Sequence, residues 1–202
     1  MPASKSDCQP RRTPTQRRAW RTRERILAGA AQVFAEYGYA SGTTDRIAGA
    51  AGLSVGSLYQ YFPNKDAILL VLATSHINQT ADAVRETLAE VRPAKVWLPE
   101  LTAAVVGQHV ENPRLHQVLF EEAPRPPEVV ARFREVESEA VTAIAALLRG
   151  DASLRIAQPD RCARFVVATI EALTHRFMGG SPQIDMDDLV DEITSMVVKY
   201  LQ

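Results

Sequence analysis

Two very short helical patterns, separated by a single glycine in the stretch Thr43–Lys65 (TTDRIAGAAGLSVGSLYQYFPNK), constrain this chain more than any other feature. Thr44 is a good helix cap, because its hydroxyl can accept from the free N–H groups of a first turn. Ile47, Ala48 and Ala51 follow on one side at helical spacing. Gly52 permits the left-handed backbone that ends a helix, and Leu53 can tuck back under the turn. Ser54 caps a second helix of about two turns, on which Val55, Leu58, Tyr59 and Phe62 fall at i, i+3, i+4 and i+7. Pro63 and Asn64 stop it, and Asn64 can cap the helix that begins at Lys65.

Two short helices joined by a tight glycine turn make a helix-turn-helix, whose second helix can enter the DNA major groove. Gly56 and Ser57 are small enough for close approach, and Gln60 offers a paired donor and acceptor to an adenine edge. Tyr59, Tyr61 and Lys65 can reach phosphates, which fix register without reading sequence. An ordinary helical hairpin with small residues for tight packing fits the same pattern.

The segment Arg23–Leu72 resembles the DNA-binding domain of the TetR (tetracycline-repressor-like) family of bacterial regulators. The F-x-x-x-G-Y/F element at the end of that domain's first helix is matched by Phe34, Gly38 and Tyr39. Thr43, Thr44, Ile47 and Ala48 match T-T-x-x-I-A, and Ala51, Gly52, Ser54, Gly56, Leu58, Tyr59, Tyr61, Phe62 and Lys65 match A-G-x-S-x-G-x-L-Y-x-Y-F-x-x-K. Tyr61 replaces the histidine often found there and can still hydrogen-bond phosphate, and Val55 differs from the polar residue some relatives carry, favouring a thymine-methyl contact. By position the resemblance implies DNA contacts at Thr44, Ser54, Val55, Gly56, Ser57, Tyr59, Gln60, Tyr61 and Lys65.

Upstream, a helix from about Thr15 to Tyr37 would lay Ile26, Ala30, Val33, Phe34 and Tyr37 over this motif. Its start is heavily basic, with Arg17, Arg18, Arg21, Arg23 and Arg25 following Arg11 and Arg12. Residues 1–65 carry ten Lys and Arg against four acidic residues, whereas the rest of the chain is acidic on balance. A basic head on an acidic body suits a DNA-binding protein. Arg17, Arg18 and Arg21 are the arginines best placed to meet phosphate, while Met1–Pro14 fits either a DNA-binding arm or a solvated tail.

With 202 residues, 46 % of them hydrophobic, the chain can bury a core in a small head and a larger body. No run approaches a membrane span, no secretory signal is present, and a cytoplasmic protein is expected. Cys8 and Cys162 are too far apart in sequence to suggest a disulfide framework or a metal pair. His76, His109, His116 and His175 lack metal-ligand spacing, and Glu121-Glu122 point to different helix faces. No nucleophile elbow, P-loop or dinucleotide fingerprint occurs, so neither an enzyme nor a cofactor or metal site is expected.

Beyond Lys65 the pattern stays helical, giving an all-α chain of about nine helices with a three-helix head. The expected division is a flexible basic arm over 1–14, a DNA-binding domain over 15–65, and an effector-binding and dimerisation domain over 66–202. Helices are expected over Lys65 to about Val91, through Leu101, Val105 and His109, from Pro113 to about Glu122, over about Glu128–Arg149, from Gln158–Asp160 to Gly179-Gly180, and over Met186–Leu201, with breaks at Pro93 and Pro99. On the last helix Leu189, Ile193, Met196, Val197 and Tyr200 form one seam. On the one before, Cys162, Phe165, Val166, Ile170, Leu173 and Phe177 wrap most of the cylinder.

The resemblance implies that these two helices pack on a symmetry mate as a four-helix bundle, through Val166, Ile170, Leu173, Phe177, Leu189, Ile193, Met196, Val197 and Tyr200. A homodimer would place two heads in successive major grooves of a palindromic operator, about 34 Å apart. The resemblance also implies an effector cavity in the body, whose occupation moves the linker helix and the heads. Candidate lining residues are Trp97, Leu101, Val105, His109, Leu119, Phe133, Phe165, Thr169 and His175, each of which also suits plain core. Such walls suit an apolar or aromatic small molecule. The resulting expectation is a dimeric repressor released by that effector; an activator, a ligand-independent DNA-binding protein and a protein-binding adaptor are the alternatives.

Overall fold

The computed structural model describes residues 17–110, 112–178 and 184–202. The basic arm over 1–14, Cys8, the proposed start at Thr15 and the Gly179-Gly180 stop lie outside the described residues. Those described form nine α-helices and no strand: α1 Arg17–Ser41, α2 Thr44–Ala50, α3 Val55–Tyr59, α4 Lys65–Thr87, α5 Ala94–Val110, α6 Pro113–Gln117, α7 Pro127–Gly150, α8 Pro159–Met178 and α9 Met186–Leu201. A π-helical turn, Val118–Glu122, continues α6.

Two compact units result, one of residues 1–76 with 114–130 and the other of 77–113 with 131–202. The first unit is the head. Its core is Ile26, Ala30 and Phe34 of α1, Ile47 and Ala48 of α2, Leu58 and Phe62 around α3, and Ala67–Leu69 of α4. Val118, Leu119 and Ala123 complete it, so part of the segment expected to belong wholly to the body is built into the head. The π-helical turn packs on α1. There the Arg114–Glu122 ion pair lies over Gly38, whose φ of 71° interrupts α1. Tyr37 does not join the apolar stripe; it is exposed, with the Arg46 guanidinium 4.2 Å above its ring.

The second unit is the body. Helix α5 packs on α8 and α9, and Trp97, Leu98, Leu101, Ile144, Val166, Ile170, Leu189, Ile193 and Val197 share one core. Pro99 does not break the chain, but lies within α5. A proline inside a helix removes one backbone donor. Burial of Trp97, Leu98 and Leu101 around it offsets that loss. Asp151 secures the start of α5: its Oδ2 accepts from the Ala94 N–H at 2.7 Å and its Oδ1 from Ser153 Oγ at 2.6 Å. These bonds, the Ser153 hydroxyl foremost, hold its carboxyl below the ordinary carboxylate range.

Candidate nucleic-acid interface and effector cavity

The head is pinned by its caps. Thr43, not Thr44, caps α2: its hydroxyl accepts from the Arg46 N–H at 3.3 Å, and Thr44 is the first helical residue. Ser54 accepts from the Ser57 N–H at 3.2 Å, and Asn64 Oδ1 from the Ala67 N–H at 2.8 Å. At the turn between α2 and α3, Gly52 has φ 63° and the Leu53 N–H reaches back to the Ala48 carbonyl at 2.9 Å. Arg25 clamps the same turn, its Nη2 donating to the carbonyls of Ala51 at 2.5 Å and Gly52 at 3.1 Å. Gly29 of α1 allows this closeness, since a Cβ there would stand 2.9 Å from the Ala51 nitrogen.

With Leu58 and Phe62 buried, α3 turns Ser54, Gly56, Tyr59 and Gln60 outward, with Ser57 half-buried beside them. A Cβ added at Gly56 would meet nothing within 4 Å. Thr44 and Tyr59 are brought together, their hydroxyls 3.1 Å apart. Val55 and Tyr61 are half-buried against the head core. Arg17, Arg18 and Arg21 are exposed along the start of α1. Arg23, by contrast, lies over Phe62 with its guanidinium 5.6 Å from the ring.

Lys65 is also engaged within the fold. Its ammonium donates to the Tyr39 carbonyl at 2.7 Å and the Ala40 carbonyl at 3.3 Å, and sits 4.1 Å from the Tyr39 ring centre. Of the three ammonium donors, two are used to hold the end of α1.

The nine residues marked for an effector do not converge. Leu101, Val105 and Phe133 line a cavity of about 90 Å³ in the body, together with Thr80, Val84, Val136, Glu137, Ala140, Ile144, Val167, Ile170 and Glu171. Trp97 is fully buried in the body core, and Leu119 belongs to the head core. Phe165 and Thr169 lie on the outer side of α8 and α9, bordering a hollow with Met196 and Tyr200. Histidine rings come close in ways that their spacing in the sequence does not reveal. His76 and His116 have ring centres 5.0 Å apart in the head, and His109 and His175 have theirs 4.9 Å apart in the body. Burial holds the His109 imidazole below its ordinary pKa, against the pull of its hydrogen bond with the Val105 carbonyl.

The residues expected to form the dimer seam divide between two faces of α8 and α9. Val166, Ile170, Leu189, Ile193 and Val197 are buried in the core of the body. Leu173 and Phe177 are half-buried against the same core. Besides Met186 at the start of α9, the large apolar groups that α8 and α9 expose are Phe165, Met196 and Tyr200, which are 56 %, 52 % and 49 % accessible. The Phe165 and Tyr200 rings are 6.0 Å apart, and the Tyr200 hydroxyl donates to Cys162 Sγ at 3.6 Å.

Nine of the twelve residues that line the cavity are not among the effector candidates read from the sequence, and Glu137 and Glu171 are the two acids among those nine. The available signal is an acid within an apolar stripe: Phe133, Val136, Glu137 and Ala140 on α7, and Val167, Ile170 and Glu171 on α8. Burial first, and the Glu137 charge second, push the Glu171 carboxyl up from its ordinary 4.5 to about 7. The folded state therefore holds a proton that the unfolded chain has already released, and stability falls as pH rises from about 4.5 through about 7. Discounted for partial exposure, the loss amounts to about 1–2 kcal/mol. Thermal melts at acidic and mildly alkaline pH should show this fall in the native protein and a flatter profile in Glu171→Gln. Identical profiles would mean that Glu171 titrates as a solvated carboxylate.

The family model for bacterial regulatory proteins of the tetR family matches residues 26–72, and that for the tetracyclin repressor-like C-terminal domain matches residues 93–201. The chain is 24 % identical over 170 residues to the HTH-type transcriptional activator FasR of Mycolicibacterium smegmatis, covering 84 % of this chain and 78 % of that protein. It is 41 % identical over 79 residues to the HTH-type transcriptional repressor Rv1474c of Mycobacterium tuberculosis, covering 39 % of this chain and 42 % of the repressor. The chain thus spans about two-fifths of that repressor's length. The solved transcriptional regulator FadR of Bacillus subtilis, in complex with stearoyl-CoA, matches with a TM-score of 0.70 and 21 % identity, over 89 % of this chain and 99 % of that one. At that identity the likeness is one of fold.

Proposed function

The chain belongs to the tetracycline-repressor-like family of bacterial transcriptional regulators, and from that premise we propose that it is a homodimeric repressor which leaves a palindromic operator when a small, largely apolar effector enters the body. The observation that carries this reading is the outward face of α3, where Ser54, Gly56, Tyr59 and Gln60 surround open space on a helix held by Ser54 and Leu58. Gln60 reads a base edge, and Ser57, Tyr59 and Thr44 fix the backbone register. Arg17, Arg18 and Arg21 add sequence-independent attraction to phosphate. Lys65 can offer phosphate its third donor while it holds α1, and Val55 and Tyr61 serve mainly as packing.

Dimerisation uses the exposed Phe165, Met196 and Tyr200 side of α8 and α9. The effector occupies the α4–α5–α7–α8 cavity of the body, and it shifts the equilibrium only by its differential affinity for the two arrangements of the dimer. No catalytic role is assigned, and the protein acts in the cytoplasm, where its operator resides. The activator name of the relative matched over most of this chain favours a second reading, activation from an operator upstream of a promoter.

Selection of bound duplexes from a random library, repeated at several salt concentrations, tests the proposal. An enriched palindrome is the expected result, and its position relative to a promoter then separates repression from activation. Steeply salt-dependent binding with no enriched motif would leave a phosphate-gripping or adaptor protein in its place. Within the recovered site, Gln60→Ala should cost about 1–3 kcal/mol and relax one half-site position, whereas Arg21→Ala should weaken all sequences alike and reduce the salt slope by about one. An unchanged preference profile would remove Gln60 from base readout, and an unchanged slope would remove Arg21 from the phosphate contacts.

A further inference from the structure

The cavity that the proposed function assigns to an effector has walls of unequal chemistry. Val84, Leu101, Val105, Phe133, Ile144 and Ile170 make it apolar, yet two carboxylates, Glu137 and Glu171, open onto it. No arginine, lysine or histidine lines it among the described residues. The α7 acids that flank Glu137 have cationic partners: Glu135 pairs with Arg132, and Glu139 with Arg132 and Arg85. Glu137 and Glu171 pair with no cation among the described residues. Glu137 is exposed at the rim and Glu171 is half-buried farther in. Their charges oppose one another, and water is too scarce around Glu171 to hold its carboxyl in the ordinary range.

Resting on the effector reading above, we infer that this cavity takes an amphipathic organic cation, an ammonium group carried on an apolar body, with the ammonium between Glu171 and Glu137. A positive group there relieves the repulsion between two carboxylates and replaces the hydration that Glu171 lacks, while the body of the ligand displaces water from apolar wall. An anionic lipid headgroup or fatty carboxylate would add negative charge beside Glu137 and hold the Glu171 carboxyl still more firmly in its protonated form. There is room for the apolar part. A groove of about 510 Å³ between α4 and α7 shares Val84, Val136 and Ala140 with the cavity. Its volume lies within the ~300–1,000 Å³ of small-molecule pockets. Cavity and groove both belong to the second unit, so the assignment depends only on that unit.

Calorimetric titration of the full-length dimer with octyltrimethylammonium, octanol, octanoate and stearoyl-CoA tests the inference, because the ammonium charge is independent of pH. Octyltrimethylammonium should bind at least tenfold more tightly than octanol and octanoate. Glu171→Gln, nearly the same size and permanently neutral, should remove most of that preference while leaving octanol binding unchanged. Octanoate or stearoyl-CoA binding as tightly as the ammonium, no binding of the ammonium, or an undiminished preference in Glu171→Gln would each overturn it. Operator release is measured in parallel on the selected palindrome. Release by octanoate or stearoyl-CoA but not by the ammonium would overturn the cationic assignment and leave effector control standing. Charge-selective binding that never releases the operator would uphold the ligand class and refute effector control.

Discussion

Leucine in place of Gly56 is expected to lower affinity for the operator to the non-specific level, a loss of roughly 10³-fold or more, with the circular dichroism and the melting temperature of the head unchanged. The two halves of that expectation come from the same observation. A Cβ at Gly56 meets nothing within 4 Å, and the positive φ values of described glycines fall at Gly38 and Gly52, not there. Leucine is thus accommodated by the helix, where it is favoured over glycine by about 1 kcal/mol. Its side chain extends from α3 into the space that base edges would occupy. Electrophoretic mobility shifts against operator and scrambled duplex give the comparison. Tight, sequence-selective binding by the leucine variant would show that α3 does not present this face to the groove.

The second large effect separates two neighbouring faces of α9. Met196→Glu should yield a folded monomer by light scattering, with operator affinity lost because one head alone spans only a half-site. Ile193→Glu should instead unfold the body, at a cost on the order of 4 kcal/mol or more. Met196 is half exposed, whereas Ile193 is 1 % accessible within the body core. A glutamate at 196 keeps its water in the monomer and loses it only where a partner covers it. A glutamate at 193 has no such escape. A stable dimer from Met196→Glu would move the interface off this side of α8 and α9, and a folded Ile193→Glu monomer would restore the seam inferred from periodicity.

The difference between these two residues marks where sequence legibility ends. The helix-turn-helix is legible because its determinants are local: Ser54 caps α3, Gly52 closes the turn, and Leu58 and Phe62 are the large apolar groups at the right phase. Even there, adjacent threonines conceal which one caps α2, and the backbone selects Thr43. In α8 and α9 apolar residues occupy two faces, and a 3.6-residue period has no preferred phase when both are apolar. Phe165 and Val166 look alike in sequence, yet one is 56 % accessible and the other 1 %. The cavity was legible only in its apolar part, through Leu101, Val105 and Phe133. Its two acids stood out only once α7 and α8 were placed on the same hollow. Leu119 belongs to the head, which its neighbours in sequence do not reveal, because its partners in α1 lie more than eighty residues earlier in the chain, beyond the reach of any local pattern.

That last placement bears on how the protein is made. The head's core contains Val118, Leu119 and Ala123 as well as Phe34 and Phe62. While the ribosome is still producing the middle of the chain, α1 to α3 have emerged, but part of the surface they bury does not yet exist. Domains ordinarily fold as they emerge, the N-terminal one first. This head must wait for some sixty residues beyond its own helix-turn-helix before its core can close. A transcript cut short after α4 would therefore release a fragment with an open apolar side, a target for proteolysis, instead of a free DNA-binding module that occupies operators without answering to an effector.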